Sequence, residues 1–262
     1  GTKKISKHLI EKNIKIGRGA IDGWIYKNKK PIYRINKIKE GSEKLTKEKA
    51  YILGVLCGDG YLSTGYRIGL EACDSDFINE FSRCLDAVYG IKPKVRTRER
   101  HTNFGKGKPQ YSAIICSRLI IEDLLKYSKS FKSKEWTIPN KIKSTSMGVQ
   151  ATFLKGLFDS EGSIRHMGKG HGYLQLCSGN KISLLEVKDM LNRYFEIRCS
   201  IKFNQSGVMM LISTDYNSIK KFYENIGFSI NRKQIILIDL LNSYKRKGLR
   251  KYSLEFKKKS MD

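Results

Sequence analysis

The sequence predicts an α+β fold of two pseudo-symmetric αββαββα repeats, with one helix from each repeat packed against the other at the centre. Three observations carry that expectation. Residues 52–60 (Ile-Leu-Gly-Val-Leu-Cys-Gly-Asp-Gly) and 154–162 (Leu-Lys-Gly-Leu-Phe-Asp-Ser-Glu-Gly) look like copies of one object. Each is an apolar helical stretch with small residues four apart, ending in an acid followed by glycine. Asp59 and Glu161 stand 102 residues apart. Cys73 and Cys177, each closing a strand-like segment before a helix, stand 104 apart. Parallel spacing of this kind marks an internal duplication. After each motif the hydrophobic period then changes in the same order, from strands to helix to strands to helix.

The elements follow in order. Residues 1–45 differ in character from the rest. They contain a turn at 15–19 and then an apolar run around Trp24 with a lysine-rich exit, which reads as part of a helix-turn-helix with the Trp24 helix in the recognition position. The alternative is a basic extension that packs through Trp24 and Tyr26. The first repeat, 46–131, opens with its motif and continues into strands at 61–63 and 66–73. An amphipathic helix capped by Asp74 or Ser75 follows, with Phe77, Phe81, Cys84, Leu85 and Val88 on one face and Gly90 as its stop. Strands at 92–100 and 110–116, joined by a Gly- and Lys-rich loop, lead to a short helix at 118–128. Residues 132–148 are polar, hold Pro139 and read as a linker. The second repeat, 149–229, has strands near 163–166 and 173–178, then a helix capped by Asn180 with Leu184, Val187, Leu191 and Tyr194 at helical spacing. Strands at 198–204 and 208–213 precede a helix that Gly227 stops. Residues 230–262 give a final amphipathic helix and a basic tail, read either as a nucleic-acid contact or as a solvated end.

The motifs carry the chemistry. Gly54 and Gly58, like Gly156 and Ser160, allow two helix backbones to come very close. The closing glycines, Gly60 and Gly162, stand where a left-handed helix cap is wanted. Asp59 and Glu161 are thereby left at helix C-termini, where the dipole disfavours an anion. Pairing the helices sets the two carboxylates side by side, and a bound cation relieves both problems. The constellation reads as a metal site. Asp159, two residues before Glu161, reads as a packing or capping acid.

These two motifs resemble the LAGLIDADG motif of homing endonucleases, and two in one chain resemble the monomeric members of that family. The resemblance covers roughly residues 46–245. Cys57 stands where the first motif usually has an acid and Lys155 where the second usually has a small residue, which bears on packing rather than on the metal position. The resemblance implies saddle-like antiparallel sheets and hydrolysis of both strands of a long, non-palindromic DNA site. It implies Asp59 and Glu161 as catalytic residues and metal ligands, with Gly58 and Ser160 beside them contributing to the metal site. Mg²⁺ is the expected cofactor, with Mn²⁺ or Ca²⁺ substituting for binding. Phosphodiester hydrolysis needs an activated water, a stabilised leaving oxygen and charge neutralisation at phosphorus, all of which divalent cations supply. The basic residue that the family often places after the second strand of a repeat falls here near Asp74 and Gly179, so Arg118, Arg165 and Lys202 are the substitutes weighed.

Charge points to the partner. Lys and Arg total 51 against 25 acids, a formal charge of +26, which favours a polyanion. No apolar run reaches membrane-spanning length and no signal peptide opens the chain, so double-stranded DNA is favoured over a membrane and an intracellular place is expected. Six cysteines without a Cys-x-x-Cys pair speak against zinc and for reduced thiols. In residues 92–100, Lys92, Lys94, Arg96, Arg98 and Arg100 alternate with other residues, so in a strand they share one face. Arg67, Gln110 and Arg118 add to that half. The second half is thinner, with Arg198, Ser200, Lys202 and Asn204 alternating, joined by Arg165, His166, Tyr173 and Gln175. Such side chains can read base edges in the major groove, while the apolar alternates pack on the helices. A nine-residue strand spans about 30 Å, so two sheets reach ~60 Å, nearly two turns of B-DNA.

Two other functions fit the same fold: an intron RNA maturase, and a DNA-binding regulator with a dead centre. Retention of both acids argues against the second. An intein is disfavoured because Gly1 offers no nucleophile and no His-Asn pair stands before Met261-Asp262. The duplication supplies both half-sites, so a monomer is expected. Contact with about eight phosphates gives a slope of log K against log[salt] of about −7. A titration giving about −2 instead rules out the basic sheet face as the binding surface.

Overall fold

The computed structural model describes residues 1–12, 16–27, 38–99, 101–102, 105–168, 170–203 and 208–244. The chain divides into two compact units, Gly1–Lys37 and Ile38–Asp262. The smaller holds α1 (Thr2–Glu11) and α2 (Arg18–Tyr26), with Trp24 half-buried on α2. The lysine-rich exit beyond Lys27 lies outside the described residues. The boundary falls at 37/38, not at 45, because the segment before the first motif is tied into the larger unit. Lys39 N–H donates to the Tyr89 carbonyl at 2.9 Å, and the buried Lys49 ammonium donates to the Ser42 carbonyl and pairs with Asp123.

The larger unit follows the duplicated order. Repeat one runs α3 (Lys47–Leu56), β1 (Tyr61–Ser63), β2 (Arg67–Ala72), α4 (Ser75–Tyr89), β3 (Lys94–Arg98), β6 (Gln110–Cys116) and α5 (Arg118–Leu124), with the small β4–β5 hairpin (His101–Thr102, Gly105–Lys106) inserted after β3. A short α6 (Asn140–Lys143) leads to repeat two: α7 (Met147–Glu161), β7 (Gly162–Gly168), β8 (His171–Ser178), α8 (Lys181–Phe195), β9 (Ser200–Phe203), β10 (Met209–Ser213) and α9 (Tyr216–Asn225). Residues 231–244 form a further helix, α10. Each repeat makes a four-stranded antiparallel sheet, ordered β1-β2-β6-β3 and β7-β8-β10-β9. The two orders superpose element for element.

Capping follows side-chain chemistry. Thr46, Ser117, Asn180 and Asp215 each accept from a backbone N–H three residues on, satisfying one of the orphan donors of a helix start. Gly90 ends α4 at φ 67°, a left-handed conformation that costs glycine nothing. Gly60 and Gly162 do not behave in this way. Neither has positive φ, and Gly162 is extended at φ −83°, ψ 149°. Space is what they supply: a Cβ on Gly162 would lie 2.5 Å from the Phe158 carbonyl oxygen, and one on Gly60 3.0 Å from that of Val55.

The centre of the unit is the pair α3 and α7, each buried over most of its length. A Cβ on Gly54 would stand 2.1 Å from the Phe153 carbonyl oxygen, and one on Gly156 2.4 Å from that of Tyr51. The contact is two-fold: each glycine seats on the carbonyl that lies three residues before the other. Helices this close are apolar all round because sheets and outer helices cover the remaining faces. The residues between the repeats do not form a free polar linker. Trp136, Ile138 and Ile142 are buried, and the Trp136 carbonyl accepts from Asn180 Nδ2 at 2.7 Å and from the Ser183 hydroxyl. Ile138 N–H and the Lys143 ammonium both bond Glu186.

Because the glycine contacts are backbone to backbone, neither partner can retreat without separating the helices. Gly54→Ala is expected to lower the unfolding free energy by about 3 kcal/mol, the upper range of overpacking, measured by urea denaturation. Gly179→Ala, at a position with nothing within 4 Å, is the control, expected within about 0.5 kcal/mol of the parent.

Candidate active site

The helix pair delivers the acids together. A Cβ on Gly58 would touch Ser160 Cβ at 2.3 Å and Glu161 Cγ at 3.2 Å, so the two motif ends are in contact. Glu161 is the last residue of α7, while Asp59 stands in a turn three residues beyond α3. Both acids open to solvent, but each sits in a recess where partial desolvation raises its carboxyl pKa. Glu161 is pushed up to about 7, first by desolvation and next by the Asp59 charge. Desolvation raises Asp59 as well. Two carboxylates in mutual repulsion, both oxygen donors, form a site short of positive charge. Among the described residues no third His, Cys, Asp or Glu joins them as a ligand. The Ser160 hydroxyl is turned back onto the Gly156 carbonyl at 3.0 Å.

A lysine that the sequence reading did not single out lies beside them. Lys233 on α10 is 6% exposed. Its ammonium donates to the carbonyls of Phe158 (3.1 Å), Asp159 (2.6 Å) and Gly162 (2.7 Å). It fills the C-terminal end of α7, where carbonyls lack partners and the dipole is negative. Burial pulls its pKa down to about 8, against the attraction of Asp159 and Asp59. The signal was in the sequence: Ile230, Lys233, Leu237 and Leu240 make one buried stripe, and a lysine on the apolar stripe of a helix needs a partner.

Asp159 holds this arrangement in place. It is buried at 1% exposure and accepts from the Tyr51 hydroxyl at 2.8 Å, from Ser229 N–H at 3.0 Å and from the Ser229 hydroxyl. The packing role read from the sequence fits this geometry. The Asp159 position has no acidic copy on the other side, because Cys57 stands at the matching place in the first motif, 102 residues earlier. Phe131 is buried, with Gly58, Gly60 and Tyr61 lining a recess beside it. Arg232 grips Asp74 with two bonds, at 2.6 and 2.7 Å, and holds its carboxyl below the ordinary range. A cation therefore does reach the Asp74 position, brought there by α10.

Register sorts the expected DNA contacts. Lys94, Arg96 and Arg98 pair with Ile114, Ser112 and Gln110, while Arg67 and Glu71 pair with Cys116 and Ser112. Pairing partners lie on one side, so these residues share the face opposite the buried Ile68, Leu70, Ala113 and Ile115. In repeat two, Arg165 pairs with Tyr173, and Ser163 and Ile212 with Gln175. Ser200 and Lys202 pair with Ile212 and Met210 on that same face.

Other expected contacts depart from that face. His166 alternates with Arg165 and so shares the side of Ile164 and Leu174, toward the recess with Lys233 and Ile236. Lys92 precedes a strand of five residues, about 17 Å long, rather than opening one of nine, and sits 3.9 Å from Asp86. Pro93 and the hairpin after Arg98 limit the pairing. Arg198 lies before β9 beside a recess that Glu196 and Asp215 also line. Arg118 is held by Glu122 at 2.6 Å and lies over the Tyr66 ring. Arg100, Asn204 and the basic tail lie outside the described residues. None of the six cysteines is in a disulfide, and of the six Cys57 and Cys84 are buried. Among the described residues no helix is long and apolar enough to cross a membrane.

Comparison with known proteins places this arrangement beside others of the same fold. Residues 148–227 match the LAGLIDADG-like domain. Over most of its length the chain shares its fold with the structure of the homing endonuclease I-WcaI bound to its DNA recognition sequence. That match has a TM-score of 0.55 at 18% identity, over 73% of this chain and 87% of that one. Two relatives come from Methanocaldococcus jannaschii. An uncharacterized protein is 32% identical over 189 residues, 70% of this chain and 64% of that protein. A glutamine–fructose-6-phosphate aminotransferase is 24% identical over 222 residues, 82% of this chain but 19% of that protein. The chain thus spans part of each relative's length. On the LAGLIDADG fold the two motif helices are α3 and α7.

The raised Glu161 pKa has a sign. Its carboxyl binds a proton more tightly folded than unfolded, so the Glu161 contribution to metal-free stability is fullest below about pH 4.5 and is lost as pH rises toward about 7. Glu161→Gln removes that loss. In EDTA its Tm is expected to exceed the parent's at pH 7.5 by more than at pH 5. An equal or reversed gap would show that Glu161 is not strained by its neighbours.

Proposed function

We propose that this protein is a site-specific double-strand DNA endonuclease that uses divalent metal. The observation that carries the reading is the pairing of Asp59 and Glu161 at the ends of two glycine-joined helices, between two sheets whose faces bear base-reading side chains. The donor set fits a hard cation. It offers two carboxylate oxygens whose shared repulsion a +2 charge removes, with no sulfur or imidazole ligand. Mg²⁺ retains several waters and takes few protein ligands, so Asp59 and Glu161, with backbone carbonyls of the Gly58 and Ser160 turns, suffice alongside DNA phosphate oxygens. When bound, such an ion lowers the pKa of water and neutralises charge at phosphorus.

The chain's own residues supply the rest. Lys94, Arg96, Arg98 and Arg67 on the first face, with Arg165 and Lys202 on the second, neutralise phosphates and read base edges, which fixes the register of the duplex over the acids. Lys233 cancels the negative end of α7, so Glu161 stays able to ionise in its recess. The Asp159–Tyr51–Ser229 network holds α10, and so Lys233, in position. One chain carries both half-sites, so the active form is a monomer, and its duplex target is long and non-palindromic.

Asp59→Asn and Glu161→Gln keep size and hydrogen bonding while removing the charge that draws the metal. Each is expected to abolish double-strand cleavage, with at most residual nicking, and to leave specific binding within about tenfold, a change of ~1.4 kcal/mol. The assay pairs cleavage and gel shift on one duplex selected from a random library in Mg²⁺, with circular dichroism to confirm folding. Two folded variants that cut both strands at the parent rate place the metal elsewhere.

A further inference from the structure

The two sheet faces are not chemically equivalent. On the first, the inner strands meet at Glu71 opposite Ser112, Gly69 opposite Ile114 and Arg67 opposite Cys116, so a single apolar side chain, Ile114, lies between charged neighbours, and the edge strand carries Lys94, Arg96 and Arg98. On the second, the two inner strands meet at Met210 opposite Cys177 and at Ile212 opposite Gln175. All four are half-buried, so they are neither packed in the core nor fully solvated. The Gln175 amide donates to the Cys177 sulfur at 2.7 Å, a weak acceptor that gives up the amide readily to a better partner. Among the described residues of these strands, charge on this face is confined to Lys202 on the edge strand and Arg165 on β7.

Resting on the endonuclease reading, we propose that the second sheet selects an A·T-rich half-site through thymine methyl groups, and the first a G-containing one. The chemistry is that of the major groove. Apolar side chains contact the C5-methyl of thymine, Gln pairs with adenine, and Arg pairs with guanine. Met210 and Ile212 stand two apart on one strand, ~7 Å, about the rise of two base pairs at 3.4 Å each. A methyl group is the one apolar feature that the major-groove edge offers. An unreactive apolar strip at the middle of a DNA-facing sheet is matched by it and by no phosphate. Lys202 and Arg165 flank the strip and hold the backbone on either side.

The test begins with selection of cleaved duplexes from a random library, followed by replacement of thymine with deoxyuridine in one half at a time. Loss of a methyl contacted by Met210 or Ile212 is expected to weaken binding about fourfold, the ~0.8 kcal/mol of one buried methylene. The same replacement in the other half should change binding less than twofold. Met210→Ser assigns the half, since in that variant the uridine effect of the second half should shrink to within twofold at one position. Ile212→Thr is the companion variant if the first folds poorly. Arg96→Ala should relax base preference in the opposite half only. Selected sites with equally G·C-rich halves overturn the proposal. So does a duplex still bound and cut with uridine throughout at parental affinity, an outcome that leaves the endonuclease reading standing. If no duplex is bound or cut under any condition, both fall.

Discussion

Two backbones in contact set everything else in this protein. Gly54 and Gly156 each lie against a carbonyl oxygen of the opposite helix at a distance no Cβ could share, and that approach locates the acids. With wider helices, Gly58 would not meet Ser160 and Glu161, and the two carboxylates would be solvated helix ends with ordinary proton affinities. Close packing turns them into a strained pair. The same contact joins the repeats, so that two sheets, each covered on one side by helices, present their other faces on either side of one centre.

The duplication is faithful in backbone and uneven in chemistry. Strand orders correspond one for one, yet Cys57 stands where the second motif has Asp159. The second half of the centre is stiffened by the Asp159 network and a lysine seated on the C-terminus of α7, and the first half by a different buried network, in which Lys49 and Tyr89 bond Asp123. A buried ammonium with three carbonyl partners tolerates its desolvation because every proton is engaged. Its depressed pKa records the remaining cost. α10 connects the halves as well, since Arg232 and the N–H of Asn231 bind Asp74 and Asp76 at the start of α4 in the first repeat.

The sheet faces extend that unevenness toward the ligand. Edge strand β3 puts three cations on one face in five residues, whereas its counterpart β9 puts Ser200 and Lys202 there, and inner strand β10 carries Met210 and Ile212 where β6 carries Ser112 and Ile114. Glu71 on the basic face and Cys177 on the neutral one show how far the halves have diverged while keeping their registers.

The sequence by itself determined the repeat, the helix and strand order, the paired motifs and the alternation that places Lys94, Arg96 and Arg98 together. All of these are local periodicities, set by residue types a few positions apart. Tertiary structure decided the rest. The closing glycines turned out to relieve crowding rather than to supply positive φ, because what they must avoid is the preceding helical turn packed beneath them. The segment around Trp136 is polar in composition but buried, since Asn180, Ser183 and Glu186 of a helix over 40 residues away satisfy its backbone. His166 faces away from the side that carries Arg165 and Tyr173 because one residue of phase reverses a strand's side. Lys233 came to the acids through α10, more than 70 residues along the chain, and no local pattern specifies where a distant helix docks. Only the buried position of a lysine on an apolar stripe marked it in advance.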